Sequence, residues 1–228
     1  MHSLLSTVGA VFKIKSTMRN MLPFNDSCER SRYVAMPLDT TCDGCHAQYM
    51  ESMFRNTESL ISGVCSRLNA ASERDGRTAL RLALDVPRWV DDMLGLRPFA
   101  NDEAALRAIF TAADPLTLAE IDGALDKHPR IGDRPSGDDA HSEQARGEQS
   151  GVDLTQDEVA HRLRAGNIAY EQRFGRVFLI RAAGRDASEI LAALDERIGN
   201  DAESELRVVE RELREIAALR LDRVLSNA

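Results

Sequence analysis

The feature that most constrains this chain is the helical spacing of its apolar residues from about residue 64 to the C terminus. Apolar side chains recur there every three or four positions, which is the pattern of helices that each bury one face. Pro87, Pro115 and Pro129 interrupt the pattern, because a proline disfavours helical geometry in the residue before it. We therefore predict an all-α fold in which residues 63–228 form a single helical-bundle domain.

Capping residues indicate where several of the predicted helices begin. Asn101 precedes one apolar run, Thr155 to Glu158 form a capping box before another, and either Asp186 or Ser188 precedes a third. The predicted helical segments are 73–85, 89–94, Asn101 to before Pro115, 116–127, 155–174, a run after Asp186 or Ser188, and 201–224. Residues 177–180, Val-Phe-Leu-Ile, have strand composition without an evident partner strand. We expect them to form an extended or irregular buried segment.

Residues 1–62 differ in character from the rest of the chain. They carry Met, Cys, Ser, Thr and Asn without a sustained period, so they show no sign of a packed helical core. We predict that they form a disordered N-terminal extension, and that the helical domain folds and is active without it.

One motif in that extension suggests other chemistry. Cys42, Cys45 and His46 fit the C-x-x-C-H pattern of c-type haem attachment. The alternatives are a haem site, another metal site, and a chance pair of surface thiols. A haem needs export and a surrounding pocket, and the sequence shows neither, so we favour reduced thiols and expect no metal.

The overall charge narrows the range of partners. The formal net charge is −8, which disfavours non-specific binding to nucleic acid. No apolar run approaches the roughly 18 to 20 residues that a membrane span needs. The chain ends in Ser226-Asn227-Ala228, which is not the peroxisomal address Ser-Lys-Leu. We expect a cytoplasmic protein that binds neither nucleic acid nor membrane.

Arg220 is the first candidate for a chemical role. On a helical wheel it falls in the middle of the apolar stripe of the last helix, about 20° from Leu213. A guanidinium in that position needs an anion, because it cannot lose its proton. The sequence leaves open an internal salt bridge, a side chain that snorkels to solvent, and an anchor for an anionic ligand.

His128 is the second candidate. It follows an apolar helix, and Pro129 forces it off helical geometry, so its ring should project from the helix end. A histidine there either caps the helix dipole or serves as a general acid and base. Glu148 and Gln149, in the polar stretch between Pro129 and Asp153, could orient this histidine and contact a polar ligand, or could simply be solvated.

These candidates resemble, in order, the motifs of one family, the 2-oxo-4-hydroxy-4-carboxy-5-ureidoimidazoline (OHCU) decarboxylases. Residues 128–132, His-Pro-Arg-Ile-Gly, are similar to the family's His-Pro-x-(Leu/Ile)-Gly stretch. Residues 145–152 resemble its Ser-x-x-Glu-Gln segment, and 167–175 its Asn-x-x-Tyr-x-x-x-Phe-Gly stretch. The apolar strip at 178–182 and the final helices, through Arg220, complete the likeness. It covers about residues 64–226, whereas residues 1–60 show no such likeness.

The resemblance implies a function and a set of site residues. It implies cofactor-independent decarboxylation of the small molecule OHCU to (S)-allantoin, the last step from urate, by a homodimer with no metal. His128 would be the general acid and base, Glu148 its carboxylate partner that also touches substrate, and Arg220 the holder of substrate charge. The remaining substrate-binding residues would be Pro129, Ala145, Gln149, Phe178, Leu179, Ile180, Arg181 and Ala182. The alternative is a catalytically silent helical binding module of the same fold.

One departure from the family pattern concerns binding. Ala145 stands where the family usually has serine, which removes a hydroxyl contact that water or Ser150 could replace.

Overall fold

The computed structural model describes residues 62–132, Gly147 and residues 157–227. Eight α-helices contain most of these residues, and no β-strand occurs among them. In chain order the helices are α1 (Val64–Ala70), α2 (Glu73–Ala83), α3 (Pro87–Gly95), α4 (Asp102–Thr111), α5 (Leu118–Leu125), α6 (Asp157–Phe174), α7 (Ala187–Ile198) and α8 (Ala202–Ser226). The all-α prediction is confirmed. The predicted N-terminal extension lies outside the described residues, except for Ser62.

The C-terminal helix α8 is the centre of the packing. It contacts α1, α2, α4 and α5, and its apolar residues join theirs in the larger of two core clusters. Trp89 of α3 is fully buried in this cluster, and its indole N–H donates to the Ile109 carbonyl at 3.0 Å. A buried indole needs such a partner, so the bond lets a large side chain fill the core without an unsatisfied donor.

A second core cluster lies between α6, α7 and the segment at 178–182. Gly166 allows α6 and α7 to approach closely: a Cβ at this position would lie 2.4 Å from Cδ2 of the fully buried Leu194. The Tyr170 ring packs against Phe174 in a tilted arrangement and against Phe178 edge-on, with centroid distances of 4.7 and 5.2 Å. Small and aromatic residues thus set the spacing of this part of the domain.

Three predicted helix caps are confirmed, whereas the helices predicted from residues 89 and 116 begin at Pro87 and Leu118. The side chains of Asn101, Asp186 and Asp201 each accept a backbone N–H of the first turn of α4, α7 and α8. Asp186, rather than Ser188, is therefore the cap of α7, and Thr155 lies outside the described residues. Thr117 and Glu120 form a further capping box at the start of α5, which was not predicted.

The shortest helix, α1, depends on side chains from elsewhere in the chain. The Asp102 carboxylate accepts the backbone N–H groups of Gly63 and Cys65, both at 2.7 Å. Arg97 donates to two carbonyls at the other end of α1, at 2.8 and 3.0 Å. Side chains from other parts of the chain thus bind backbone groups at both ends of α1, a helix of only 7 residues.

None of the helices in the described ranges is long and apolar enough to cross a membrane.

Candidate functional site

His128 is held at the end of α5 by two hydrogen bonds to the last turn of that helix. Its backbone N–H donates to the Leu125 carbonyl at 2.8 Å, and its ring Nδ1 lies 2.9 Å from the Ala124 carbonyl oxygen. A carbonyl can only accept, so Nδ1 carries the proton in this contact. The neutral ring is therefore the Nδ1–H tautomer, and Nε2 is the nitrogen that can take up or release a proton.

Arg220 is buried in the penultimate turn of α8. Only 2% of its surface is exposed, so the guanidinium does not snorkel to solvent and that alternative is excluded. The prediction that this cation lies within the apolar face of the last helix is confirmed by its neighbours Leu213, Ile216 and Ala217, which are all buried.

His128 and Arg220 line the same small recess, although they come from different helices that are distant in sequence. The recess lies where the end of α2, the end of α5 and the last turns of α8 meet. Its lining residues are Ala83, Leu84, Asp85, Ala124, Lys127, His128 and Arg220. A proton-transfer group and a buried cation in one recess can together stabilise a negative charge and exchange a proton.

Two charged residues of this recess were missed by the sequence analysis. Lys127 Nζ donates to the Asp85 carboxylate, with side chains 41% and 30% exposed. Asp85 lies just after α2, and Lys127 immediately precedes His128. No spacing in the sequence links residues 85 and 127, because their contact depends on how α2 and α5 each pack against α8.

Residues 177–180 form neither helix nor strand and are largely buried, as predicted, and the same irregular segment continues to Ala182. Two buried ionic side chains fix its backbone: Arg197 Nη1 donates to the Leu179 carbonyl, and the Arg181 N–H donates to the Glu212 carboxylate, each at 2.7 Å. Its apolar members, Phe178, Leu179, Ile180 and Ala182, pack in the two core clusters. This segment is therefore held rigidly, which suits backbone groups that must meet a ligand.

Glu212 and Glu215 both contact Arg181, and their pKa values are shifted in opposite directions. Burial alone would raise the pKa of Glu212, but the nearby guanidinium groups of Arg185 and Arg197 hold it below its ordinary value. Burial and the adjacent charge of Glu212 raise the pKa of Glu215 instead. Glu215 is thus the more readily protonated of the two carboxylates.

The structure brings together only part of the predicted site. Pro129 and residues 178–182 are not among the residues that line the recess beside His128. Ala145, Glu148 and Gln149 lie outside the described residues. Gly147, which precedes Glu148 in the chain, lies beside α8: a Cβ on Gly147 would be 3.5 Å from Nη1 of Arg223.

Comparisons with known proteins agree on one family. Residues 69–222 match the family model for OHCU decarboxylase. A 2-oxo-4-hydroxy-4-carboxy-5-ureidoimidazoline decarboxylase from Amia calva is 34% identical over 131 residues, which cover 57% of this chain and 75% of that protein. A protein of the same name from Mus musculus is 31% identical, covering 57% of this chain and 74% of that protein.

A crystal structure of an OHCU decarboxylase in the presence of (S)-allantoin has a similar fold. Its TM-score with this chain is 0.51 at 24% identity, and the match covers 68% of this chain and 99% of the other.

Proposed function

The chain belongs to the OHCU decarboxylase family, and on that premise we propose that it converts OHCU to (S)-allantoin in urate degradation without a cofactor. The observation that carries the proposal is the shared recess of His128 and Arg220. One supplies a titratable nitrogen and the other a buried positive charge, which are the two groups that a decarboxylation followed by proton delivery requires.

The reaction breaks the bond between the ring and its carboxylate. The electron pair of that bond moves into the ring, CO2 leaves, and a proton is added to one face of the ring carbon that becomes the stereocentre. Arg220 would stabilise the negative charge, first on the carboxylate and then on the ring. Nε2 of His128 would first take up a proton from solvent and then deliver it to the ring carbon, since Nδ1 is engaged by the Ala124 carbonyl.

Glu148 would complete the site. Because the Ala124 carbonyl already sets the tautomer of His128, we assign Glu148 to the Nε2 side, where it would contact substrate and share the transferred proton. Gly147, the residue before Glu148, lies beside the end of the helix that carries Arg220, which supports this assignment. The other substrate contacts that we propose are Pro129, Ala145, Gln149 and residues 178–182.

A coupled assay tests the proposal. OHCU is generated in place from urate with urate oxidase and hydroxyisourate hydrolase, and the appearance of optically active allantoin is followed by circular dichroism. We expect the protein to speed formation of the (S) enantiomer, and His128→Gln to lower the rate by about 10² to 10⁴-fold. His161→Gln is the matched control, because His161 is exposed on α6.

Racemic allantoin at the uncatalysed rate would support the silent binding module instead. An equal loss in the His128 and His161 variants would refute the catalytic assignment of His128.

The cellular location and assembly are also proposals. We propose a cytoplasmic homodimer, as the family resemblance implies. Fractionation of native cells tests the location, and the mass in solution at micromolar concentration tests the assembly, where a monomeric mass would exclude the dimer.

A further inference from the structure

The ion pair of Asp85 and Lys127, here called the rim pair, occupies an unusual place for an exposed salt bridge. Both side chains line the recess that contains His128 and Arg220. Both are partly exposed, at 30% and 41%, whereas Arg220 is 2% exposed. The recess therefore has a buried cation at its base and an adjacent carboxylate and ammonium at its mouth.

Stabilisation of the fold does not account well for the rim pair. Exposed ion pairs of this kind contribute little to stability, since solvent screens them and two long side chains must be ordered. Arg162 and Asp195, which join α6 to α7, form such a pair with side chains 56% and 63% exposed, and neither lines the recess. The distinguishing property of the rim pair is its position beside the proposed proton-transfer group.

The rim pair also keeps the capacity to bind a ligand. A carboxylate can accept about four hydrogen bonds and an ammonium can donate three, and their mutual contact uses one of each. A carboxylate and an ammonium side by side match the edge of a terminal amide, which presents an N–H donor next to a carbonyl acceptor. A ureido group ends in that edge.

Charge sorts the two ends of the substrate. The rim pair carries no net charge, and Arg81 Nε lies 3.9 Å from the other Asp85 oxygen, so the mouth of the recess does not repel an anion. The buried Arg220 attracts an anion more strongly, because solvent screens its charge less. An elongated ligand with a carboxylate on its ring and a neutral ureido arm is therefore favoured in one orientation. That orientation places the ring against His128 and the ureido arm at the mouth.

We propose that the rim pair is a specificity determinant that binds the ureido arm of the substrate, with Asp85 accepting its terminal N–H and Lys127 donating to its carbonyl. The proposal deepens the proposed function and rests on it. It assigns one pair of residues to the ureido arm, and leaves the ring and its carboxylate to His128 and Arg220.

Two ligands that share a ring separate this role from a structural one. (S)-Allantoin carries the ureido arm, and hydantoin is the same type of ring without it. Their affinities are measured by calorimetry with the full-length protein and its variants Asp85→Asn and Lys127→Met, with Arg162→Met as the matched ion-pair control. We expect each rim variant to bind (S)-allantoin about tenfold or more weakly, since a hydrogen bond to a charged group is lost, and to bind hydantoin like the unchanged protein.

Each outcome decides something. Equal weakening of both ligands, or no weakening of either, overturns the assignment of the rim pair to the ureido arm. Thermal unfolding of the variants checks that they remain folded, and the control variant should bind both ligands normally. In the coupled assay the rim variants should raise KM more than they lower kcat. Failure of the unchanged protein to form (S)-allantoin would instead overturn the proposed function, whatever the binding data show.

Discussion

The Glu205 carboxylate offers a sharp test of how the site is supported. It is fully buried at the start of α8 and receives four donors. Arg197 donates to it twice, from Nε at 2.9 Å and Nη2 at 2.6 Å, Asn200 donates at 2.8 Å, and the Tyr170 hydroxyl also donates. Arg197 is itself fully buried and holds the Leu179 carbonyl, so Glu205 supports the backbone at 178–182 through one intermediate residue.

Glu205→Gln removes the charge and leaves the shape almost unchanged. Three of the four donors converge on Oε1, which the amide oxygen can replace, and Asn200 can flip its amide to meet the new NH2 group. The main destabilising effect is that the buried Arg197 cation loses the negative charge of this side chain. Breaking a buried pair in this way typically costs about 3–5 kcal/mol.

We expect Glu205→Gln to lie near the lower end, at about 3 kcal/mol, because its hydrogen bonds are largely kept. In a chain of this size that is a fall in Tm of roughly 6–12 °C. The measurement is urea unfolding followed by circular dichroism, with Glu203→Gln as control, since Glu203 pairs with Arg207 on the exposed side of α8. The control should stay within about 0.5 kcal/mol of the unchanged protein. A loss below about 1 kcal/mol for Glu205→Gln would refute the view that this carboxylate neutralises a buried cation.

Four further predictions follow from the same structure. Arg220→Met should lower kcat/KM at least 100-fold and leave the Tm within a few degrees, because it removes a buried cation that lines the recess. Unfolding of this variant would contradict the proposed role of Arg220. Glu120→Gln should lose about 1 kcal/mol at pH 7 in denaturant unfolding, since the hydrogen bonds of its arginine partner on α3 lower the pKa of Glu120 to about 2. That difference should vanish as the pH falls from about 4.5 towards 2, where the folded state also takes up the proton, and a difference that persisted there would contradict it. Gly166→Ala should destabilise the folded protein by about 1–3 kcal/mol, because its Cβ would collide with Leu194. A Cβ at Gly123 would have no atom within 4 Å, so Gly123→Ala should stabilise the protein by up to about 1 kcal/mol. A change of the same sign in both variants would refute the packing argument. A chain that starts at Ser62 should keep its circular dichroism and activity, and loss of folded protein would show that residues 1–61 are needed.

Local features of this chain could be predicted from sequence because their signals are local. The side chains of Asn101, Asp186 and Asp201 accept the backbone N–H groups two or three residues later in the chain. Their capping roles can therefore be predicted from a few neighbouring residues. His128 was found for the same reason, since the proline after it fixes its position at a helix end. Asp85 and Lys127 could not be found in this way, because their contact depends on how α2 and α5 each pack against α8.

The wheel of α8 shows how far a periodicity argument reaches. It correctly places Arg220 within the apolar stripe, but it places Glu205, Glu212 and Arg214 about 80° to 100° away from Leu213, where exposure is expected. All three are buried. The reason is that α8 is covered by helices and by the 178–182 segment on more than one side, so the buried arc is much wider than the stripe of apolar residues. Charged residues on the flanks of that arc are buried together with their partners. The periodicity of the apolar residues does not predict their burial.

Arg220 differs from two other buried arginines in its place in the domain. Arg214 donates to the carbonyls of Ile109 and Ala112, at 3.1 and 2.8 Å, near the C-terminal end of α4. Arg197 donates to the Leu179 carbonyl and to Glu205. Neither of these two arginines lines the recess, whereas Arg220 does, together with His128. This shared position with a histidine whose Nδ1 is held by the helix end is the reason that we propose Arg220, rather than Arg214 or Arg197, as the group that holds the anionic substrate.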